Sequence, residues 1–396
     1  MSQLFISGMF RSGTTLLARM LHTHKSIACA SDPYRPFFNC LRDSIAVEFG
    51  VDVDPYAPLG SYYADDQQRR LFDAVQSASL ERQFDRDRET LLSRIRSHGQ
   101  PFSPRIAENV NEIPGDSFAD IYRTLLAEVP EQYGDGTESV TATKEVWTTE
   151  FIPALARSVS DSKFLLVVRD PRAVAASNNI EESRKYPWTF LARQWRKLAT
   201  LTWAYNTDSE LASRVQIVRY EDLVESPRQT ATEICDFLDL GLDERILDPS
   251  NFIDGRGEQW LQNTSYDDGG ASFNTDSVSK WQSVLDSKTV ALLEQCCYAT
   301  MEQFGYEFQE SPTPGFEDET LVDPPVVTPP EMADWIRPYF EGRTQTTMRT
   351  ELGSEYVRQR MLLSDQSVRE RLDAETVRSY FLNERFFDQV RGRLNT

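Results

Sequence analysis

The sequence predicts an α/β fold: a three-layer sandwich with a central parallel sheet between helices, followed by a C-terminal helical appendage. Three observations carry that expectation. An apolar run leads through a glycine-containing loop into an amphipathic segment between residues 4 and 24. The same strand-then-helix order returns in "KFLLVVRDPRAVAASNN", 163–179, and in "RVQIVRYEDLVESPRQTATEICDFLDL", 214–240. Strands that alternate with helices at this spacing pair in parallel and are covered on both faces.

The elements follow in order. Leu4–Ser7 reads as a short buried strand, and Thr14–His24 carries Leu16, Leu17, Met20 and Leu21 at helical spacing. Ile27–Cys29 is the next apolar stretch and ends in "ASDPYRPFF". From about 40 to 138 the pattern is irregular, with helical patches such as Phe118–Val129, and reads as a helical insertion shaping an acceptor pocket. Order returns at "SVTATKEVW", 139–147. Lys163–Val168 reads as a fully buried strand, with Asp170 as N-cap and Pro171 as the first helical residue. Val215–Arg219 is a further strand, followed by an acidic turn and a helix over Pro227–Leu238. A helix over about Ser287–Phe304 closes a domain expected to span 1–311. Residues 312–332 form a Pro- and acid-rich linker. Beyond it, 333–396 reads as a charged helical appendage whose apolar positions, such as Val368, Leu372 and Phe381, are thinly spread.

Composition narrows the function classes. The 396 residues carry a net charge of −20, and 35 of the 42 basic residues are arginine. A uniformly acidic surface repels nucleic acid and anionic membranes and stays soluble in high salt. No apolar run approaches the roughly 18 residues of a membrane span. The sequence starts with no basic leader or cleavage site, so a cytoplasmic protein is the expectation. Five cysteines, Cys29, Cys40, Cys235, Cys296 and Cys297, have no C-x-x-C spacing, which indicates neither a zinc site nor a disulfide framework.

The loop "SGMFRSGTTLLARML", 7–21, is P-loop-like. A P-loop reads G-x-x-x-x-G-K-[ST], its backbone cradling phosphates and its lysine reaching the terminal ones. Gly8, Gly13 and Thr15 fit; the lysine's place holds Thr14. The helix start still offers N–H groups, a dipole and the hydroxyls of Ser12, Thr14 and Thr15 to an anion. The point charge for β- and γ-phosphates is gone, no metal-binding Walker B strand is visible, and Arg11 supplies a positive charge instead. Such a site suits one phosphate carrying a further small anionic group, without a metal.

These residues resemble the sulfotransferase family that uses 3′-phosphoadenosine 5′-phosphosulfate (PAPS). Arg11-Ser12-Gly13-Thr14-Thr15 resembles the family's 5′-phosphosulfate loop, and Arg169 with Ser177 in "FLLVVRDPRAVAAS" resembles the pair that grips the 3′-phosphate. Tyr220 in "VRYEDL" matches a residue lining the adenine site, Lys144 stands at the end of the strand before the 3′-phosphate motif, and "SVSKW" places Lys280 near the cofactor phosphates. The motifs run in family order over roughly 1–308. The resemblance implies PAPS as donor, 3′-phosphoadenosine 5′-phosphate (PAP) as product and no metal. The acceptor is a small molecule, glycan or lipid.

Sulfuryl transfer is an in-line displacement that asks for positioning and stabilisation of spreading charge. Arg11 and Lys144 are the candidates for that charge. The acceptor hydroxyl needs a base. Many small-molecule members have a His two residues after the equivalent of Lys144, where this sequence has Val146. Carbohydrate- and tyrosine-sulfating members place a carboxylate after the second strand, and Asp32 falls there, with Glu145 as substitute. That points to a carbohydrate or glycolipid hydroxyl. His22 and His24, in the last turn of the first helix, read as complements to its dipole. A P-loop kinase-like phosphotransferase and a non-catalytic nucleotide-binding relative are the competing readings. The first lacks its lysine and Walker B carboxylate.

Overall fold

A computed structural model of the chain describes residues 1–51, 66–146, 148–179, 188–260, 273–309 and 344–394. The predicted linker 312–332 lies outside them. The strands are β1 (Ser2–Gly8), β2 (Ile27–Ser31), β3 (Val140–Lys144), β4 (Ser162–Val168) and β5 (Val215–Arg219). The helices before β5 are α1 (Thr14–His22), α2 (Arg35–Glu48), α3 (Asp66–Ser77), α4 (Arg88–Gly99), α5 (Pro104–Asn109), α6 (Phe118–Tyr133), α7 (Ile152–Ser158), α8 (Pro171–Asn179) and α9 (Trp188–Asn206). After it come α10 (Tyr220–Glu225), α11 (Pro227–Phe237), α12 (Asp276–Ser279), α13 (Trp281–Val284), α14 (Ser287–Gln303), α15 (Thr344–Leu362), α16 (Gln366–Arg369), α17 (Ala374–Phe381) and α18 (Glu384–Leu394).

The strands pair in parallel in the order β2-β3-β1-β4-β5. The expected α/β class with a central parallel sheet is therefore present. Successive strand residues point to opposite faces, yet every residue of β2 and of β3 is buried, so both faces of the sheet are covered. The turn expected after β5 is instead a short helix, α10, because Tyr220, Leu223 and Val224 bury one side of it.

The chain divides into two compact units. The first comprises 1–59, 70–169 and 205–275 and holds the whole sheet. The region that reads as irregular in sequence contributes real helices here, because their apolar residues stack on aromatic partners far away in the chain. The Phe37 and Tyr122 ring centroids lie 4.9 Å apart, and those of Phe5 and Tyr122 6.1 Å apart. Fully burying one such side chain is worth about 1.5–3 kcal/mol. α6 starts with a capping box in which Ser117 and Asp120 exchange bonds with each other's backbone N–H.

The second unit comprises 60–69, 170–204 and 276–396. Asp170 opens α8 as expected, its carboxylate accepting from the backbone N–H of Arg172 at 2.8 Å. The C-terminal helices share a core with α9 and α14: Met361, Leu362, Val377, Phe381, Phe386, Phe387 and Val390 pack with Trp203 and Ala299. Apolar residues that look sparse along the chain are thus gathered by α15, α17 and α18. Val368, by contrast, is exposed.

Candidate active site

Every strand of the sheet delivers a predicted site residue at its carboxyl end, the edge where parallel sheets bind ligands. Across the sheet the order is Asp32 after β2, Lys144 at the end of β3, the Arg11–Thr15 loop after β1, Arg169 after β4 and Tyr220 after β5. Register fixes the alignment: Lys144 pairs with Ile6 on one side and Ser31 on the other.

The loop after β1 has the geometry of an anion cradle. Gly13 (φ 89°) precedes α1, whose N-terminus has no side-chain cap. A Cβ on Gly13 would sit 2.1 Å from Cδ2 of Tyr220, so both the backbone angle and the close ring demand glycine. Ser12 Oγ is enclosed with no hydrogen-bond partner among the described residues. A buried hydroxyl left in that state costs free energy that an incoming oxyanion recovers. Arg11 adopts φ 66° and Asp32 φ 49°. Such angles strain a side chain other than glycine and gather at functional positions.

Asp32, Lys144 and Glu145 form one buried clasp between the segment after β2 and the end of β3. Lys144 Nζ is ion-paired with Asp32 Oδ2, the backbone N–H of Val146 donates to Asp32 Oδ1 at 3.1 Å, and that of Asp32 donates to Lys144 O at 2.6 Å. The backbone N–H of Tyr34 donates to Glu145 Oε1, while Glu145 Oε2 has no partner among the described residues. Burial, reinforced by the Asp32 charge, pushes the Glu145 carboxyl well above the usual carboxylate range. That shift disfavours the charged form of Glu145, the form a proton acceptor needs.

Arg169 is nearly enclosed. Its Nη1 donates to the carbonyl of Arg11 at 2.9 Å, and its guanidinium lies 4.2 Å from the centroid of the Tyr220 ring. In this structure the pair props the glycine loop from below, a role that the sequence reading of phosphate and adenine contacts does not include. Ser177, buried on α8, and Lys280, at the start of α13, belong to the second unit. Their roles rest on the motif resemblance. There Ala173 and Ala176 of α8 pack against Trp281 and Val290.

The histidines correct the sequence reading. His22 cannot complement the helix dipole with charge: burial, with help from Arg19 and Arg105, lowers its pKa to about 4. Its Nδ1 accepts from the backbone N–H of Cys29 at 3.3 Å. His24 Nδ1 accepts from the N–H of Ser26, which leaves Nε2 to donate to Gly241 O at 2.9 Å. All five cysteines are buried and free, as their spacing implies.

Two residues near Asp32 escape sequence reasoning. His98 Nε2 is enclosed without a partner among the described residues, and burial together with Arg35 holds its pKa at about 4. Arg19 is 7% exposed, and its Nε is enclosed with no hydrogen-bond partner among the described residues. No local signal flags either one, because both lie on helices whose polar positions read as solvated faces.

Residues 3–244 match a family model described as "Sulfotransferase family". A Caenorhabditis elegans protein named "Putative protein-tyrosine sulfotransferase" is 25% identical over 195 residues, covering 47% of this chain and 73% of that protein. Carbohydrate sulfotransferase 1 of Rattus norvegicus is 25% identical over 189 residues, covering 41% of this chain and 42% of the relative. Among solved structures, the sulfotransferase domain of the Synechococcus PCC 7002 olefin synthase aligns over 77% of this chain and 94% of its own length. Its sequence identity is 21% and its TM-score 0.42.

Proposed function

The chain belongs to the sulfotransferase family, and on that premise we propose that it moves a sulfuryl group from PAPS to an acceptor hydroxyl, releasing PAP. One observation carries the reading: the five strand ends present, side by side, an uncapped glycine loop, a lysine paired with a carboxylate, and a buried arginine. The enclosed hydroxyl of Ser12 and the strained Arg11 fit an oxyanion at the loop.

The donor supplies the sulfuryl group, already on a phosphate leaving group. The chain does the rest. The N–H groups of Thr14 and Thr15 and the hydroxyl of Ser12 bind the 5′ end, with Arg11 adding charge. Lys144 and Arg11 stabilise the charge that spreads over equatorial and leaving oxygens, each worth about 10²–10³ in rate. Asp32, held by Lys144 and Val146, accepts the proton of the acceptor hydroxyl. Lys144 Nζ must lengthen its contact with Asp32 to reach the transferring group. Arg169 holds the 3′-phosphate and Tyr220 lines the adenine end, while roles for Ser177 and Lys280 on the donor phosphates are what the motif resemblance implies. A carbohydrate or glycolipid acceptor is supported by the carboxylate in the base position.

The test uses radiolabelled PAPS with a panel of hydroxyl acceptors, beside calorimetric titration of PAP. Label transfer that fails in Asp32→Asn while PAP still binds supports the reading. Magnesium-dependent ATP turnover, or no PAP binding by the wild type, overturns it.

A further inference from the structure

Arg19 raises a physical problem. It sits in the second turn of α1, about 7 Å along the axis from Thr14 at 1.5 Å per residue, and is 93% buried. A guanidinium carries five N–H donors and cannot shed its charge under physiological conditions. The cost of stripping water from it is several kcal/mol unless a counter-charge and hydrogen bonds replace the water. Here nothing within bonding distance does so among the described residues: Nε is fully enclosed and unpartnered.

The surroundings do not explain it as packing. Burial lowers the Arg19 pKa, and the groups that partly offset that cost are Cys29, Asp254, Tyr133 and Asp32. Cys29 is itself no counter-ion, since burial raises its thiol pKa to about 12. Tyr133 directs its hydroxyl to Gly255 O at 3.1 Å, and Asp254 Oδ1 accepts from the backbone N–H groups of Arg256 and Glu258 at 2.7 and 3.1 Å. Of the two carboxylates, Asp32 is paired with Lys144, and Asp254 engages its own loop through Oδ1. His22, beside Arg19 and edge-on to Tyr133 at 5.8 Å, is kept uncharged. Arg19 is therefore a buried cation whose Nε has no hydrogen-bond partner among the described residues, within electrostatic reach of the candidate base.

We propose that Arg19 anchors an oxyanion subsite near Asp32, so that the acceptor is a hydroxyl compound that also bears a carboxylate or sulfate group. This inference rests on the sulfuryl-transfer reading for its link to the acceptor. The guanidinium fork binds such a group through two parallel charge-assisted hydrogen bonds, and the acceptor's own charge removes the penalty that the free protein carries. Acceptors whose hydroxyl lies within the same molecule as the anion are then aligned on Asp32 by two fixed points, which favours transfer at one hydroxyl over its neighbours.

The experiment is a crystal of the full chain with PAP bound, soaked in sodium selenate at constant ionic strength. An anomalous selenium peak within hydrogen-bond distance of the Arg19 guanidinium supports the proposal. A peak only at the Ser12–Thr15 loop, which reports the sulfuryl position beyond PAP, or no peak, overturns it. Failure of PAP to bind is a separate result that sinks the sulfuryl-transfer reading instead. In solution, selenate binding to the PAP-loaded protein should weaken at least tenfold in Arg19→Gln, a change of about 1.4 kcal/mol, and only partly in Arg19→Lys. Equal affinity in wild type and Arg19→Gln overturns the proposal. Should Arg19→Gln not fold, the Arg19→Lys titration and the soaked crystal decide.

Discussion

Two buried arginines, one in each unit, show how differently the same side chain is used. Arg172 at the start of α8 is 4% exposed and fully engaged: Nε and Nη2 donate to Asp170 at 3.0 and 2.6 Å, Nη1 to Glu294 at 2.5 Å, and Nη2 also to Glu307 O at 2.8 Å. Its plane lies 4.0 Å from the Trp281 centroid. Arg19 is just as buried and makes none of these bonds. A closed network stabilises the fold that contains it, whereas an open one marks a place where something else must bind.

The largest break in that comparison should come from Arg172→Ala. It leaves Asp170 and Glu294 buried without their cation and is expected to cost about 3–5 kcal/mol in urea unfolding. Arg19→Met, in the same assay, should cost nothing or add stability, because it removes a charge with no partner. Equal losses in the two variants would end the contrast.

Next in size is Lys144→Ala, expected to lower kcat by about 10²–10³ while PAP affinity stays within a few-fold. This cluster is intermediate between the other two: paired in the free protein, yet required to open. A variant with full activity would move Lys144 into the structural class alongside Arg172.

Acid stability sharpens the comparison from the side of His22. Its folded pKa of about 4 lies below the ordinary value near 6.5. The unfolded chain therefore takes up the proton first, and stability is complete above 6.5 and falls as pH drops towards 4. His22→Gln should remove that slope, about 3 kcal/mol between pH 7 and 4. An unchanged slope in the variant would show that the Arg19 pocket does not hold His22 neutral. Glu145 works in the opposite sense: its raised pKa means stability present at low pH and lost as pH climbs above the usual carboxylate range.

The smallest effect is expected at the loop. Gly13→Ala adds a Cβ against Tyr220 at a left-handed backbone angle, for about 1–2 kcal/mol. Thermal unfolding measures the stability loss, and PAP titration should show a weakened cradle. An unchanged PAP affinity would detach the Tyr220 contact from ligand binding.

Much of the framework is legible in the residues alone. The strands and the helices that follow them are set by local periodicity and by punctuation such as Gly13, Asp170–Pro171 and Pro227, so β1, β4, β5, α1, α8 and α11 are read within a few residues of their observed bounds. The helical insertion is harder to read. α2 and α6 pack on partners such as Phe151 and Phe5, more than a hundred residues away, and a local window does not contain them. The C-terminal helices have the same difficulty, since Phe386 and Trp203 meet only in the folded chain.

The sequence by itself determines that a lysine-less glycine loop opens a helix, that Asp32, Lys144, Arg169 and Tyr220 stand at the ends of successive strands, and that the cysteines lack the spacing of a metal site. Those properties depend on neighbours along the chain. Only the tertiary structure decides which charges are satisfied: that Lys144 pairs with Asp32, that burial pushes the Glu145 carboxyl upward, that Arg172 is saturated and that Arg19 Nε has no partner among the described residues. Desolvation and pairing are set by atoms brought together across a hundred or more residues, and identical arginines in the sequence carry no trace of which kind they will become.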